Sequence, residues 1–226
     1  MTDATTTDLA VRAAIHRALG DETRLRIVDA LQLTDRAPKE LGTIAGVSAN
    51  LLAFHLNTLE QAGLVRRRPS QGDHRRRYVS LRYDRVAHLW PPPPLDTGAE
   101  RVLFVCTANA ARSQLAAALW QARTGREAHS AGTTPAARVH RGAVAVARRN
   151  GLDLSGATPR PLDAVPPGTD LVVSVCDRAH ERRVPFDAPV LHWSIPDPAA
   201  GARADFQHAF DELRVRIDRL ARAAAA

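Results

Sequence analysis

Apolar positions along the chain follow helical spacing over residues 8–62, and beyond residue 101 short apolar runs alternate with helical patterns. Residues 8–19 place Leu9, Ala13, Ile15, Ala18 and Leu19 on one helical side, and Gly20 ends the run. Asp21 is positioned to cap a second helix carrying Leu25, Ile27, Val28, Ala30 and Leu31. After a break at Asp35–Pro38, Pro38 sits in the first turn of a short helix over 39–45. Gly46-Val47-Ser48 then predicts a tight turn, with Ser48 as N-cap of a helix over 49–62 and Gly63 as its C-cap. Two helices joined by a short glycine-containing turn make a helix-turn-helix. Leu64–Arg68 and Arg75–Leu81 flank the turn P-S-Q-G-D-H and predict a hairpin signalled by Gly72-Asp73. Residues 84–90 offer one more short helix.

Pro91–Pro94 form a stiff segment that marks a boundary. The expected division is therefore a first domain over 1–90, a Pro-rich linker over 91–99 and a second domain over 100–226. In the second, the pattern predicts strands at 102–105, 127–131, 170–175 and 189–193. Helices are expected at 112–124, 139–150, 177–183 and 203–223. Such alternation implies an α/β/α sandwich with a four-stranded parallel sheet and ligands at the carboxyl ends of its strands. The first domain, a helix-turn-helix followed by a basic hairpin, reads as an α+β winged helix.

The length of 226 residues suits two small domains with real cores. No apolar run approaches the ~20 residues of a membrane-spanning helix, and residues 1–8 lack a signal-peptide pattern, so a cytoplasmic protein without membrane association is expected. Two cysteines, Cys106 and Cys176, are too few for a disulfide scaffold and read as chemical. No metal site is expected: neither cysteine clusters with other ligands, and His16 and His88 stand as isolated helix histidines. A net charge of +7 is spread over both halves, but Arg66, Arg67, Arg68, Arg75, Arg76 and Arg77 fall within twelve residues, interrupted by Asp73. That concentration is an electrostatic footprint for a polyanion.

In a winged helix the N-terminal end of the second helix meets base edges in the major groove, which places Ser48, Asn50 and Leu51 nearest double-stranded DNA. Asn50 can read adenine bidentately. His55, one turn on, reads either as a further contact or as a satisfied surface or interface histidine, while Leu52, Leu56 and Leu59 read as core. At the hairpin, Arg68, His74, Arg75, Arg76 and Arg77 are placed to contact phosphates or enter a minor groove. The phrases A-L-G-D-E-T-R-L-R-I-V-D-A-L and E-L-G-T-I-A-G-V-S-A-N-L-L-A-F-H-L-N-T-L-E-Q-A-G-L-V resemble the ArsR-type winged-helix repressors over about residues 8–88. The resemblance implies a homodimer on operator DNA. Many such repressors sense arsenite through cysteines in this module, and none lies within residues 1–105.

The second domain opens on R-V-L-F-V-C-T-A-N-A-A-R-S. A strand that ends in a loop and opens a helix aims its amides at one point, where an anion can sit. The loop amides, the helix N-terminus and Arg112 favour thiolate over thiol at Cys106 and so make a nucleophile. The anion site is assigned to Thr107, Ala108, Asn109, Ala110, Ala111, Arg112 and Ser113, with Arg112 gripping two oxygens of a tetrahedral anion. This stretch, with H-S-A-G-T, D-L-V-V-S-V-C-D and L-H-W-S-I-P-D-P-A, resembles the low-molecular-weight tyrosine phosphatase and thioredoxin-type arsenate reductase superfamily.

The resemblance implies Cys106 as nucleophile, Asp197 as general acid and Cys176 as second redox cysteine. Gln114 and Ala199-Ala200 depart from the phosphatase pattern and favour the reductase one. The reductases' third cysteine falls on Arg183, so either an external thiol (a low-molecular-weight thiol, or a thioredoxin- or glutaredoxin-type protein) completes the cycle or turnover is absent. No other cofactor is expected. Ala108 replaces a family glycine, which carries strain if that position needs a positive φ, and Ala111 removes a polar loop side chain. The expected function is an arsenic-responsive repressor whose second domain binds, and in one variant reduces, arsenate; phosphate and arsenite are the other candidate ligands. The alternative is an active reductase or tyrosine phosphatase merely tethered to an independent DNA-binding domain.

Overall fold

Helix α1 runs from Asp3 to Leu19 and so begins before the apolar pattern that marks it from residue 8. The computed structural model describes residues 3–86, 92–95, 98–200 and 203–225. They fall into two units, Met1–Pro69 with Arg76–Pro91, and Ser70–Arg75 with Pro92–Ala226.

In the first unit α2 (Glu22–Ala30) starts where Asp21 accepts a hydrogen bond from the Arg24 N–H at 2.9 Å. Pro38 opens α3 (Pro38–Ala45), the Glu40 carboxylate accepts from the Ala37 N–H at 2.7 Å, and Gly46 closes the helix at φ 69°. Ser48 caps α4 (Ala49–Gln61) through a 3.4 Å bond from the Leu51 N–H. Strands β1 (Val65–Pro69) and β2 (Arg77–Leu81) pair antiparallel, from Val65 opposite Leu81 to Pro69 opposite Arg77. The ladder stops there because Pro69 has no N–H to extend it. Arg75 and Arg76, expected in the strand, therefore lie outside it. A short α5 spans Tyr83–Val86; residues 87–91 of the expected helix and linker, with His88, lie outside the described residues. Ile27, Val28, Leu31, Leu41, Leu59, Leu64 and Val79 form a core closed to solvent.

In the second unit the order is β3 (Arg101–Cys106), α6 (Arg112–Thr124), β4 (Glu127–Gly132), α7 (Arg141–Arg149), β5 (Leu171–Ser174), α8 (Asp177–Glu181), β6 (Val190–His192) and α9 (Arg203–Ala224). Two short 3-10 turns, Leu162–Ala164 and Pro198–Ala200, carry no sequence signal. All four strands are parallel, in the spatial order β4-β3-β5-β6. The chain leaves β3 for one neighbour and later returns to its other side. The strand order thus reverses at β3, and Cys106 stands at its carboxyl end, the place where ligands bind in such sheets. Phe104 anchors that strand against Trp120 and Trp193, with ring centroids 6.5 and 6.2 Å away. Buried Arg216 lies 5.9 Å over the Trp193 ring and pairs with Glu212 at 3.3 Å. Helix α7 starts later than its apolar pattern because His140 Nδ1 accepts from the Gly142 N–H at 3.0 Å and acts as its cap. Among the described residues no helix is long and apolar enough to cross a membrane. None of their His, Cys, Asp and Glu side chains form a group of three that could hold a metal ion.

Candidate functional site

Strand β3 ends at Cys106, and the loop over residues 107–111 leads from it into α6. The sulfur lies 3.1 Å from Ser113 Oγ and accepts a hydrogen bond from the Asn109 N–H at 3.2 Å. Because Asn109 Nδ2 donates to Ser113 Oγ at 2.8 Å, the serine's own proton is free to point at sulfur. Asn109 adopts φ +48°, the left-handed conformation that asparagine tolerates better than other side chains. Ala108 stays at negative φ, so the strain expected from its lost glycine does not arise. The positive angle falls one residue later.

Neighbouring backbone shapes the rest of the loop. The N–H groups of Thr133, Thr134, Ala136 and His140 donate to the carbonyls of Cys106, Thr107, Ala108 and Ala110 at 2.8–3.1 Å. Asn109 Oδ1 accepts from the Arg160 N–H at 2.9 Å and from Gln114 Nε2 at 3.1 Å. Gln114, which the sequence marked only as a departure from phosphatases, thus locks the loop. Ala111 caps α6 with no side-chain bond, leaving its first-turn N–H groups without a side-chain partner. Gly132 matters by close approach: a Cβ there would lie 2.7 Å from the Thr107 carbonyl oxygen and 3.0 Å from Asn109 N. Gly132→Ala is expected to displace the loop and lower turnover by about a hundredfold with the fold retained, as steady-state kinetics and circular dichroism can show.

Arg112 is buried, at 8% exposure, in the first turn of α6. Its Nη1 donates to the Ile195 carbonyl at 2.8 Å and its Nη2 lies 3.4 Å from Asp197 Oδ2. The predicted acid and anion grip therefore meet, and Asp197 is further turned by the Ala199 N–H at 3.1 Å. Cys176, at the N-cap of α8, brings its sulfur to 3.4 Å from Thr107 Oγ1. Burial pushes the Cys176 thiol up, the Arg112 guanidinium opposes this, and charge on Cys106 adds to it. Arg183, in the position of the reductases' third cysteine, is exposed at φ +48°.

A cavity of about 230 Å³ in the second unit is lined by Gln71, His74, Arg112, Cys176, Asp177, Arg178 and Asp197. Gln71 was not expected there. Its N–H donates to Asp177 Oδ2 at 2.8 Å, its carbonyl accepts from Arg178 Nε at 2.8 Å, and its Oε1 accepts from the Asp197 N–H at 2.7 Å. Asp177 is likewise a group the sequence passed over, since a single acid after a cysteine carries no spacing signal.

On α4, Ser48, Asn50 and Leu51 are exposed, as an edge-reading face requires. His55 is not on that face. It is buried at 5% exposure with Nδ1 3.7 Å from Asp21 Oδ1, so the reading as a DNA contact is corrected to a core histidine. The helical period turns it inward with Leu52, Leu56 and Leu59. Arg67 donates from Nε to Glu60 Oε2 at 2.9 Å and from Nη2 to Asn57 Oδ1 at 2.7 Å. The Arg67 hydrogen bond, against the opposing effect of burial, holds the Glu60 carboxyl below its usual range. Arg75, Arg76 and Arg77 are exposed, with Arg75 bound to Asp73 at 3.1 Å, and Arg68 is half-buried.

Residues 19–68 match the family described as "Helix-turn-helix domain" and residues 101–226 the family described as "Low molecular weight phosphotyrosine protein phosphatase". The chain is 32% identical over 125 residues to an arsenate reductase of Brevibacillus brevis, covering 53% of this chain and 92% of that protein. It is 31% identical over 130 residues to arsenate reductase 2 of Staphylococcus epidermidis, covering 52% and 92%. The tyrosine phosphatase Wzb from Escherichia coli K30, solved in complex with sulphate, shares the fold at 23% identity, with a TM-score of 0.50 over 54% of this chain and 96% of that one. With an N-terminal helix-turn-helix region and more than half its length in the second match, the chain belongs to the low molecular weight phosphotyrosine protein phosphatase family.

Proposed function

We propose that this protein is an oxyanion-responsive, ArsR-type transcriptional repressor whose second domain binds and reduces arsenate. The observation that carries the reading is that two buried cysteines flank Thr107: Cys106 precedes it in the loop, and Cys176 Sγ lies 3.4 Å from its hydroxyl. In the proposed cycle Cys106 attacks arsenate, Arg112 holds the oxygens, and Asp197 protonates the departing one. Cys176 then resolves the adduct. With Arg183 where a third cysteine would stand, an external thiol, either a small one or a thioredoxin- or glutaredoxin-type protein, restores both cysteines.

The first domain binds double-stranded operator DNA as a homodimer, Ser48, Asn50 and Leu51 facing base edges and the hairpin arginines facing phosphates. Coupling between the two activities is supported by the sequence of the first domain, which has no cysteine within residues 1–105 and so no thiol sensor of its own. Operator affinity, measured at fixed salt by fluorescence anisotropy, is expected to change when arsenate, arsenite or phosphate is added. Unchanged affinity with all three would make the domains independent. Replacing Arg75, Arg76 and Arg77 together by alanine is expected to weaken binding to every DNA sequence and to flatten its salt dependence by about one unit per lost phosphate contact. An unchanged slope would remove these arginines from the DNA backbone.

A further inference from the structure

We propose that His192 is a positioning residue for Cys176, holding the chain on both sides of that cysteine. His192 closes β6 and is 2% exposed. Its Nε2 lies 3.1 Å from Asp177 Oδ1 and its Nδ1 lies 3.0 Å from Ser174 Oγ. Ser174 stands two residues before Cys176 and Asp177 one residue after it, so a single imidazole ties down both flanks. His180, one turn along α8, stacks on the His192 ring with centroids 4.0 Å apart and planes at 12°, and its Nδ1 reaches Ser174 Oγ at 3.2 Å. The backbone closes the same knot, since the Trp193 N–H donates to the Ser174 carbonyl at 2.8 Å.

The energetics favour a real clamp. Asp177 is 4% exposed, and burial alone raises its carboxyl; hydrogen bonds from His192, the Gln71 N–H and Ser194 outweigh that and hold it below its ordinary value. A buried carboxylate that loses its partner must find another or move, and here its backbone moves Cys176 with it. The neighbourhood also explains why a histidine serves. Its two ring nitrogens point in different directions, one toward the Asp177 carboxylate and the other toward the Ser174 hydroxyl, which can donate or accept.

The inference rests on the arsenate reading for its consequence. In that reaction the Cys176 thiolate attacks Cys106 Sγ and an S–S bond forms. The S–As bond breaks with its electron pair left on arsenic, so As(V) becomes As(III) as two thiols become one disulfide. Attack along that axis is sensitive to a shift of about 1 Å, which can lower a rate about a hundredfold.

The test uses hydrogen peroxide on the full-length reduced protein, which separates positioning from arsenate chemistry. Peroxide converts the Cys106 thiol to a sulfenic acid with release of water, and Cys176 displaces a second water to close the disulfide. Closure is followed by trapping free thiols and weighing the cysteine peptides. His192→Ala is expected to slow closure at least about tenfold while alkylation of Cys106 by iodoacetamide stays within twofold of wild type. His192→Asn, which can donate one hydrogen bond to Asp177, is expected to fall between the two. Equal closure rates in wild type and His192→Ala overturn the proposal. Should His192→Ala not fold, a wild-type rate in His192→Asn overturns it instead. Closure that depends on His192 in a protein that does not reduce arsenate keeps the positioning role and removes the arsenate reading; arsenate reduction unaffected by either variant does the reverse.

Discussion

Cys106→Ser is expected to lower arsenate reduction and p-nitrophenyl phosphate hydrolysis at least about a thousandfold while operator affinity without added oxyanion stays at its wild-type value. The substitution is nearly isosteric at a site where Asn109 and Ser113 already hold the atom, at 3.2 and 3.1 Å, so the loop keeps its shape. What it loses is nucleophilicity: a serine hydroxyl needs an adjacent base, and none of the groups that bond this position is one. Phosphate should still bind, because its grip lies in Arg112 and the loop amides. Kinetics with thioredoxin and with a small thiol, calorimetry with phosphate, and anisotropy on operator DNA read the three effects separately. Turnover surviving in this variant would show that Cys106 is not the nucleophile.

Arg112→Lys is expected to weaken phosphate and arsenate binding at least about a hundredfold. A guanidinium can donate to the Ile195 carbonyl at 2.8 Å, face Asp197 at 3.4 Å and still present N–H groups to an anion. An ammonium has one donor centre and cannot span these partners. Two charge-assisted hydrogen bonds of about 1.5–3 kcal/mol each set the size of the loss. Comparing Arg112→Lys with Arg112→Met separates charge from fork geometry through Cys176. Burial raises the Cys176 thiol and the Arg112 charge pulls it down. Removing the charge therefore moves the alkaline rise of Cys176 alkylation to higher pH in Arg112→Met, with less movement in Arg112→Lys. An identical pH profile in all three proteins would show that Arg112 does not act on Cys176.

Much of this architecture follows from local chemistry. Asp21, Ser48 and Gly46 declare helix ends because each satisfies orphan backbone groups within its own few residues. The Val102–Val105 run, the Cys-x5-Arg-Ser spacing and the alternating strands and helices declare a parallel sheet with a loop at its carboxyl edge for the same reason: their signals are periodic and short-range. What lay beyond reach was set by residues distant in sequence. His55 and Asn50 occupy one helix, and their opposite fates depend on which side Asp21 and the core present. Whether Ala108 strained the loop depended on where the positive φ fell, which the backbone of 133–140 and the Asn109 side chain decide together. Gly132 and His192 lie in stretches that carry the resemblance and Gln114 departs from its phosphatase pattern, but no local period gives any of the three a role. They matter because crossovers of a parallel sheet bring Thr158, Thr107 and Asp177 against them. The sequence by itself therefore determined the two modules and pointed to Cys106 and Arg112 as the proposed nucleophile and anion grip. The tertiary structure alone decided which neighbours hold that nucleophile in place, because packing across a sheet joins residues that no local period relates.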